Sequence, residues 1–147
     1  MSAGPWHPPS KLDLLELLAA IGTAQWREFT ATAARHGLTA TQAKVLAQLG
    51  GGPLPMRGLA DRLVCDASNI TGVVDRLEER GLVRREASTT DRRVKHVVTT
   101  EEGRRTIRQV REEMAVSRNA LDALDDEERA TLHALLSRLR PAAERRT

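Results

Sequence analysis

The sequence predicts a mainly α fold with a small β-hairpin wing, a winged helix-turn-helix with N- and C-terminal dimerisation helices. Three observations predict it. Two short helical patterns flank Val64-Cys65-Asp66. The second, Ala67 to Arg80, is apolar on one side (Ile70, Val73, Val74, Leu77) and polar on the other (Ser68, Asn69, Thr71, Arg76). Two stretches rich in Val and Thr, Leu82 to Glu86 and Val94 to Thr100, then bracket a basic tip, Thr90-Asp91-Arg92-Arg93. That order of parts belongs to sequence-specific DNA binding.

The elements follow in order. Ser10, with Asp13 three residues on, reads as an N-cap. The helix it opens runs to about His36 and stops at Gly37. Leu14, Leu17, Leu18, Ile21, Trp26, Phe29 and Ala33 spread widely around it, so it should bury surface against its own domain and against a partner chain. Thr39 to Gln42 forms a capping box before Ala43, Val45, Leu46 and Leu49. Gly50-Gly51-Gly52-Pro53 ends that helix. The next helix follows Pro55 and turns Leu59, Ala60 and Leu63 inward. Gly81 closes the helix after it.

The hairpin link of about seven residues exceeds a tight turn and is polar and basic. Thr99, with Glu102 at the third helical position, is expected to cap a long helix. Ile107, Val110, Met114, Ser117, Leu121 and Leu124 would form one packing seam along it. Asp125 restarts a last helix bearing Leu132, Leu135, Leu136 and Leu139, with Pro141 as its stop. These patterns divide the chain into an N-terminal arm and dimerisation helix (1-37), a DNA-binding domain (38-103) and C-terminal dimerisation helices (104-147).

Composition narrows the function. The 147 residues are 40% hydrophobic and only 2% aromatic, so Leu, Val, Ile and Ala must fill the core. The formal net charge of +3 is too small to establish nucleic-acid binding alone. Between Arg76 and His96 there are seven Lys or Arg (76, 80, 84, 85, 92, 93, 95) against four acids (78, 79, 86, 91), a local excess equal to that of the whole chain. The single cysteine, Cys65, allows no internal disulfide and favours a reducing compartment. No apolar run approaches the roughly 18–20 residues that span a bilayer, and no secretory signal opens the chain. A cytoplasmic protein without a membrane partner is expected. No nucleophile–base pair, phosphate-cradling glycine loop or metal motif is present, so neither an enzyme nor a cofactor is expected. His7, His36, His96 and His133 form no metal cluster with Cys or carboxylates.

Leu38 to Gly103 resembles the MarR family of bacterial transcription regulators. The residues that carry the resemblance are Leu38-Thr39 with Gln42, Leu59-Ala60-Asp61-Arg62-Leu63, Val73 to Val83, Asp91-Arg92-Arg93, and Val98 to Gly103. It implies a homodimer whose terminal helices interlock, with Leu14, Leu18, Ile21, Leu121, Leu132 and Leu136 at the dimer contact. Two recognition helices would enter successive major grooves of double-stranded DNA. The operator would be roughly palindromic, with half-site centres on the order of 34 Å apart. Repression would be steric, relieved by an effector that changes the separation of the recognition helices.

The resemblance also implies contacts. Ser68, Asn69 and Thr71 lie where side chains reach base edges; Asn pairs bidentately with adenine and Thr touches a thymine methyl. Arg76, about one and a half turns further on, suits phosphate or guanine. Gly72 departs from members that carry a larger residue there, which takes away one possible interaction and permits close backbone approach. Arg92, Arg93 and Lys95 belong to the wing, where the family places an arginine in the minor groove. Asp91 is expected to orient a wing arginine. On adjacent strand positions, Arg84 and Arg85 should point to opposite faces, one to phosphate and one to an internal ion pair. Trp26 and Phe29 are candidate lining residues of a pocket for a small aromatic or phenolic effector. Cys65 reads as a small packed residue and not as an oxidant sensor. The alternative to a regulator is a non-catalytic architectural or protein-interaction winged-helix module.

Overall fold

Ser10 opens α1 (Lys11–Arg35) through a reciprocal capping box: its hydroxyl accepts the Asp13 N–H, and the Asp13 carboxylate accepts the Ser10 N–H. The computed structural model describes residues 8–63 and 67–140. The turn at Val64-Cys65-Asp66 and the stop at Pro141 lie outside the described residues. The chain divides into two units, one ending at Met114 and one beginning at Ala115.

In the first unit, α1 buries only its last turns. Residues 11–27 are exposed, whereas Thr32 and Ala33 are buried. Gly37 ends the helix at φ +69°, a left-handed conformation that costs other residues about 1–2 kcal/mol. The expected Thr39–Gln42 box opens α2 (Ala40–Gln48). α3 (Met56–Leu63) follows a short strand, β1 (Leu54–Pro55), that the sequence does not announce. α4 (Ala67–Glu79) turns Ile70, Val74 and Leu77 into the core at 0% exposure and leaves Val73 half-buried. Burial of each such side chain favours the fold by about 1.5–3 kcal/mol. Leu46 and Leu59, equally buried, meet them from α2 and α3.

The wing strands are β2 (Val83–Ala87) and β3 (Lys95–Thr99), within a residue or so of the expected hairpin. They pair antiparallel, Val83 opposite Thr99 and Ala87 opposite Lys95. β1 adds to the far side of β3, with Leu54 opposite Val97, giving the order β1-β3-β2. Val83 and Val97 seal the sheet against the helices.

Two expectations for the following segment are corrected. The cap of α5 (Glu101–Glu112) is Thr100, not Thr99. Thr99 is committed to the ladder with Val83, while the Thr100 hydroxyl accepts the Gly103 N–H and donates to the Gly81 carbonyl. The single seam from Ile107 to Leu124 is also not one helix. α5 ends at Glu112, and a new helix, α6, covers Ala115–Ala120. Glu113 caps the break, with its carboxylate against Arg35 and His36 of the first unit.

The second unit holds α6, a 3-10 turn over Leu121–Ala123, and α7 (Asp126–Leu139). Asp125 and Glu128 form the capping box of α7.

Candidate nucleic-acid interface

The polar stripe of α4 is built on helical spacing. Asn69, Gly72 and Arg76 stand at i, i+3 and i+7, positions that share one face. All three are exposed, and with Val73 they line a cleft of about 240 Å³ whose opposite wall is Thr39 and Gln42 at the start of α2. Thr71 is exposed too. Ser68 falls within the helix, but its side chain lies outside the described residues.

The wing tip is organised around Ser88, which is buried. Its N–H donates to the Val94 carbonyl, and its hydroxyl accepts the N–H groups of Thr90 and Asp91. Asp91 then sets the turn in two ways. Its carbonyl accepts the Val94 N–H at 3.0 Å, and its carboxylate accepts the Arg93 N–H at 3.0 Å. Asp91 therefore holds the Arg93 backbone and not a guanidinium. Sequence reasoning overlooked Ser88, although a Ser-Thr-Thr-Asp run is a signal for side-chain-capped turns.

The arginines from Arg76 to Arg93 sort into two groups. Arg80 donates to the carbonyls of Gly37 and His36. Arg84 pairs with Glu86 at 2.6 Å on the exposed face of β2. Arg85, on the opposite face, pairs with Asp75 at 2.6 Å and Glu78 at 2.8 Å, and its N–H donates to Glu78. Partial burial tends to lower the Arg85 pKa, but hydrogen bonds to Asp75 and Glu78 outweigh it and raise it overall. Arg80 and Arg85 thus tie separate elements of the fold together, while the Arg84 pair stays on the surface of one strand. By contrast, Arg76, Arg92 and Arg93 are exposed, and their guanidinium groups have no hydrogen-bond or ion-pair partner among the described residues. Lys95 is exposed at the start of β3.

Trp26 and Phe29 lie ring to ring, with centroids 5.6 Å apart. Lys44 of α2 places its Nζ 4.5 Å from the Trp26 ring centroid. Sequence reasoning missed Lys44, because only the packing of α1 on α2 brings it to the tryptophan. Of the residues expected at the dimer contact, Leu14, Leu18 and Ile21 are exposed on α1, Ile21 at 63%. Leu121 and Leu136 of the second unit are exposed, and Leu132 is half-buried. Cys65 lies outside the described residues. Among the described residues, no helix is long and apolar enough to cross a membrane.

Two short helices in succession, α3 and α4, the second with a buried apolar stripe and an open polar one, followed by a hairpin with an arginine tip, define a protein of the winged helix-turn-helix class. The MarR family model matches residues 36–94. The chain belongs to the MarR family of transcriptional regulators. It is 41% identical over 70 residues to the HTH-type transcriptional regulator MhqR of Bacillus subtilis, a stretch covering 47% of this chain and 48% of that one, so the match spans about half of that relative's length. It is 33% identical over 112 residues to the HTH-type transcriptional repressor MdtR of Bacillus subtilis, covering 75% of this chain and 72% of that one. Among solved structures it is similar to CouR from Rhodococcus jostii RHA1 bound to p-coumaroyl-CoA, with a TM-score of 0.69 and 28% identity over 86% of this chain and 91% of that one. The two Bacillus subtilis relatives are named as regulators of transcription.

Proposed function

We propose that this chain is a homodimeric, sequence-specific DNA-binding repressor of a roughly palindromic operator, relieved by a small aromatic effector. The observation that carries the DNA-binding reading is the sorting of the arginines from Arg76 to Arg93. Those that brace the fold are paired, whereas Arg76 on the recognition helix and Arg92 and Arg93 on the wing keep their guanidinium groups unpartnered among the described residues. A cation left unpaired on two neighbouring DNA-facing elements suits phosphate, or a narrow minor groove. Asn69 and Thr71 suit base edges, with Ser68 beside them in the sequence.

Dimerisation rests on the apolar face of α1. Leu14, Leu18 and Ile21 stay exposed among the described residues, and such a row at helical spacing suits a second helix. Leu121, Leu132 and Leu136 are assigned to the same contact. The effector reading rests on Trp26 and Phe29, with Lys44 beside them as a cation for an acidic group. CouR, bound to p-coumaroyl-CoA, makes an aromatic acyl ligand a reasonable first probe.

Selection of bound sequences from random DNA by the purified protein tests the central claim. A palindromic consensus with half-sites about one helical turn apart is expected. Affinity should fall steeply with salt. Arg92→Ala with Arg93→Ala should flatten that dependence by roughly 0.9 for each phosphate that is no longer neutralised. Binding with no sequence preference would favour the architectural alternative. Sedimentation would show a dimer, and Leu18→Glu would shift it towards monomer.

A further inference from the structure

We infer that the cleft between the start of α2 and the face of α4 is a seat for one backbone phosphate of the bound operator, with Gly72 as its floor. The inference rests on the DNA-binding reading above and names the chemistry of one part of that surface. Gly72 lies mid-helix, where glycine is unfavourable by about 1 kcal/mol relative to alanine. Nothing in the free protein requires it. A Cβ built there meets no atom within 4 Å, and its backbone is not in the left-handed region. The space above Gly72 is therefore open to an occupant from outside.

The walls define what that occupant is. The cleft is lined by Thr39, Gln42, Asn69, Gly72, Val73 and Arg76, with no carboxylate among them. Gln42 is only 7% exposed. Its Oε1 accepts the Thr39 N–H, but its Nε2 donates to no group among the described residues. No buried side-chain nitrogen or oxygen among those residues lacks a partner, so this nitrogen keeps some exposure to the surface, and Gln42 is one of the residues that line the cleft. The Thr39 hydroxyl accepts the Gln42 N–H and keeps its own hydrogen to donate. Arg76 brings a positive charge with no partner among the described residues. The first turn of α2 adds the positive end of a helix. An amide donor, a hydroxyl donor and a guanidinium around a bare Cα suit a phosphate oxygen, and Asn69, at the same cleft, keeps both an acceptor and a donor for a base edge. A side chain at position 72 would occupy the approach.

Two variants of the full chain test this without depending on loss of fold. Gly72→Ala adds one methyl and should leave thermal stability equal or higher. Gln42→Glu keeps the capping acceptor at the third helical position but replaces the amide donor with a carboxylate. Each should weaken binding roughly tenfold, about equally for the selected operator and for random duplex. Replacing backbone phosphates one at a time with neutral methylphosphonates should find one position per half-site that weakens the wild type. The same replacement should cost Gly72→Ala and Gln42→Glu little more. Wild-type affinity in both variants would overturn the inference, and so would a loss confined to one base pair, which would make Gly72 part of base reading. If the wild type binds no DNA in a salt-dependent way, the DNA-binding reading falls and the phosphate seat with it.

Discussion

The Arg80 Nη1 donates to the Gly37 carbonyl oxygen at 2.7 Å, tying the end of the recognition helix to the end of α1. A second bond from Nη2 reaches the His36 carbonyl at 3.2 Å. His36 in turn meets Glu113 at 3.1 Å, just after α5. Three helix ends thus meet around one arginine fork and one carboxylate. Arg80→Ala should destabilise the protein by about 1 kcal/mol, since the bonds are charged but solvent-exposed. Arg80→Lys should recover only part, because a point charge cannot serve two carbonyls in the fixed geometry of the fork. Denaturant titration of both variants checks this; equal stability of Arg80→Ala and wild type would remove the tie.

The clamp formed by Arg85 with Asp75 and Glu78 joins the wing to the recognition helix. The guanidinium side chain is 21% exposed, so it is shielded from solvent more than its partners. Arg85→Ala should cost about 1–3 kcal/mol, because it removes two charged hydrogen bonds and leaves both carboxylates without their cation. A double-mutant cycle with Asp75→Asn should give a coupling energy of at least about 0.5 kcal/mol. Additive losses would mean that the pair is incidental.

Legibility in the sequence followed how local each cause is. The boxes at Ser10–Asp13 and Thr39–Gln42, and the buried stripe Ile70, Val74 and Leu77, depend on neighbours within a few residues, and periodicity and spacing reveal them. The opposite faces of Arg84 and Arg85 followed from strand alternation, although nothing local named Asp75 and Glu78 as partners. The break after Glu112 was hidden because the apolar spacing continues across it without a Gly or Pro. Its Glu113 meets Arg35 and His36, more than seventy residues away in sequence. Thr99 and Thr100 offer the same cap chemistry, and only the register with Val83 decides between them. At the interface, the residue types of the α4 face and wing were legible. The Thr39–Gln42 wall and the Lys44–Trp26 stacking arise from packing between helices.

Gly103 carries a steric constraint that its place in the sequence does not reveal. It is buried in the first turn of α5, and a Cβ there would overlap the carbonyl oxygen of Leu82 and approach Leu46 Cδ2 at 3.4 Å. The Leu82 oxygen cannot withdraw freely, because it accepts the Thr100 N–H. Gly103→Ala should therefore destabilise the fold by about 3 kcal/mol or more, despite the higher helix propensity of alanine. Gly72→Ala is the control, since its Cβ meets nothing. Thermal melts of the two variants should move in opposite directions or differ by many degrees; a similar small shift in both would refute the clash.

Glu101 gives α5 a pH dependence of defined sign. A hydrogen bond from Arg104, reinforced by the charge of Arg104, holds the Glu101 carboxyl below its ordinary range. Its position in the first turn also suits a negative charge near the helix N-terminus. A carboxylate whose pKa falls on folding stabilises the native state above its unfolded pKa. That contribution fades as pH drops through the folded value. Wild type and Glu101→Gln should therefore differ most near neutral pH and converge in acid, below the ordinary carboxylate range. Added salt should narrow the neutral-pH gap, because the group is exposed. Stability curves for both proteins across that pH range provide the measurement. A gap that widened in acid would reverse the assigned sign and place the dependence on another group.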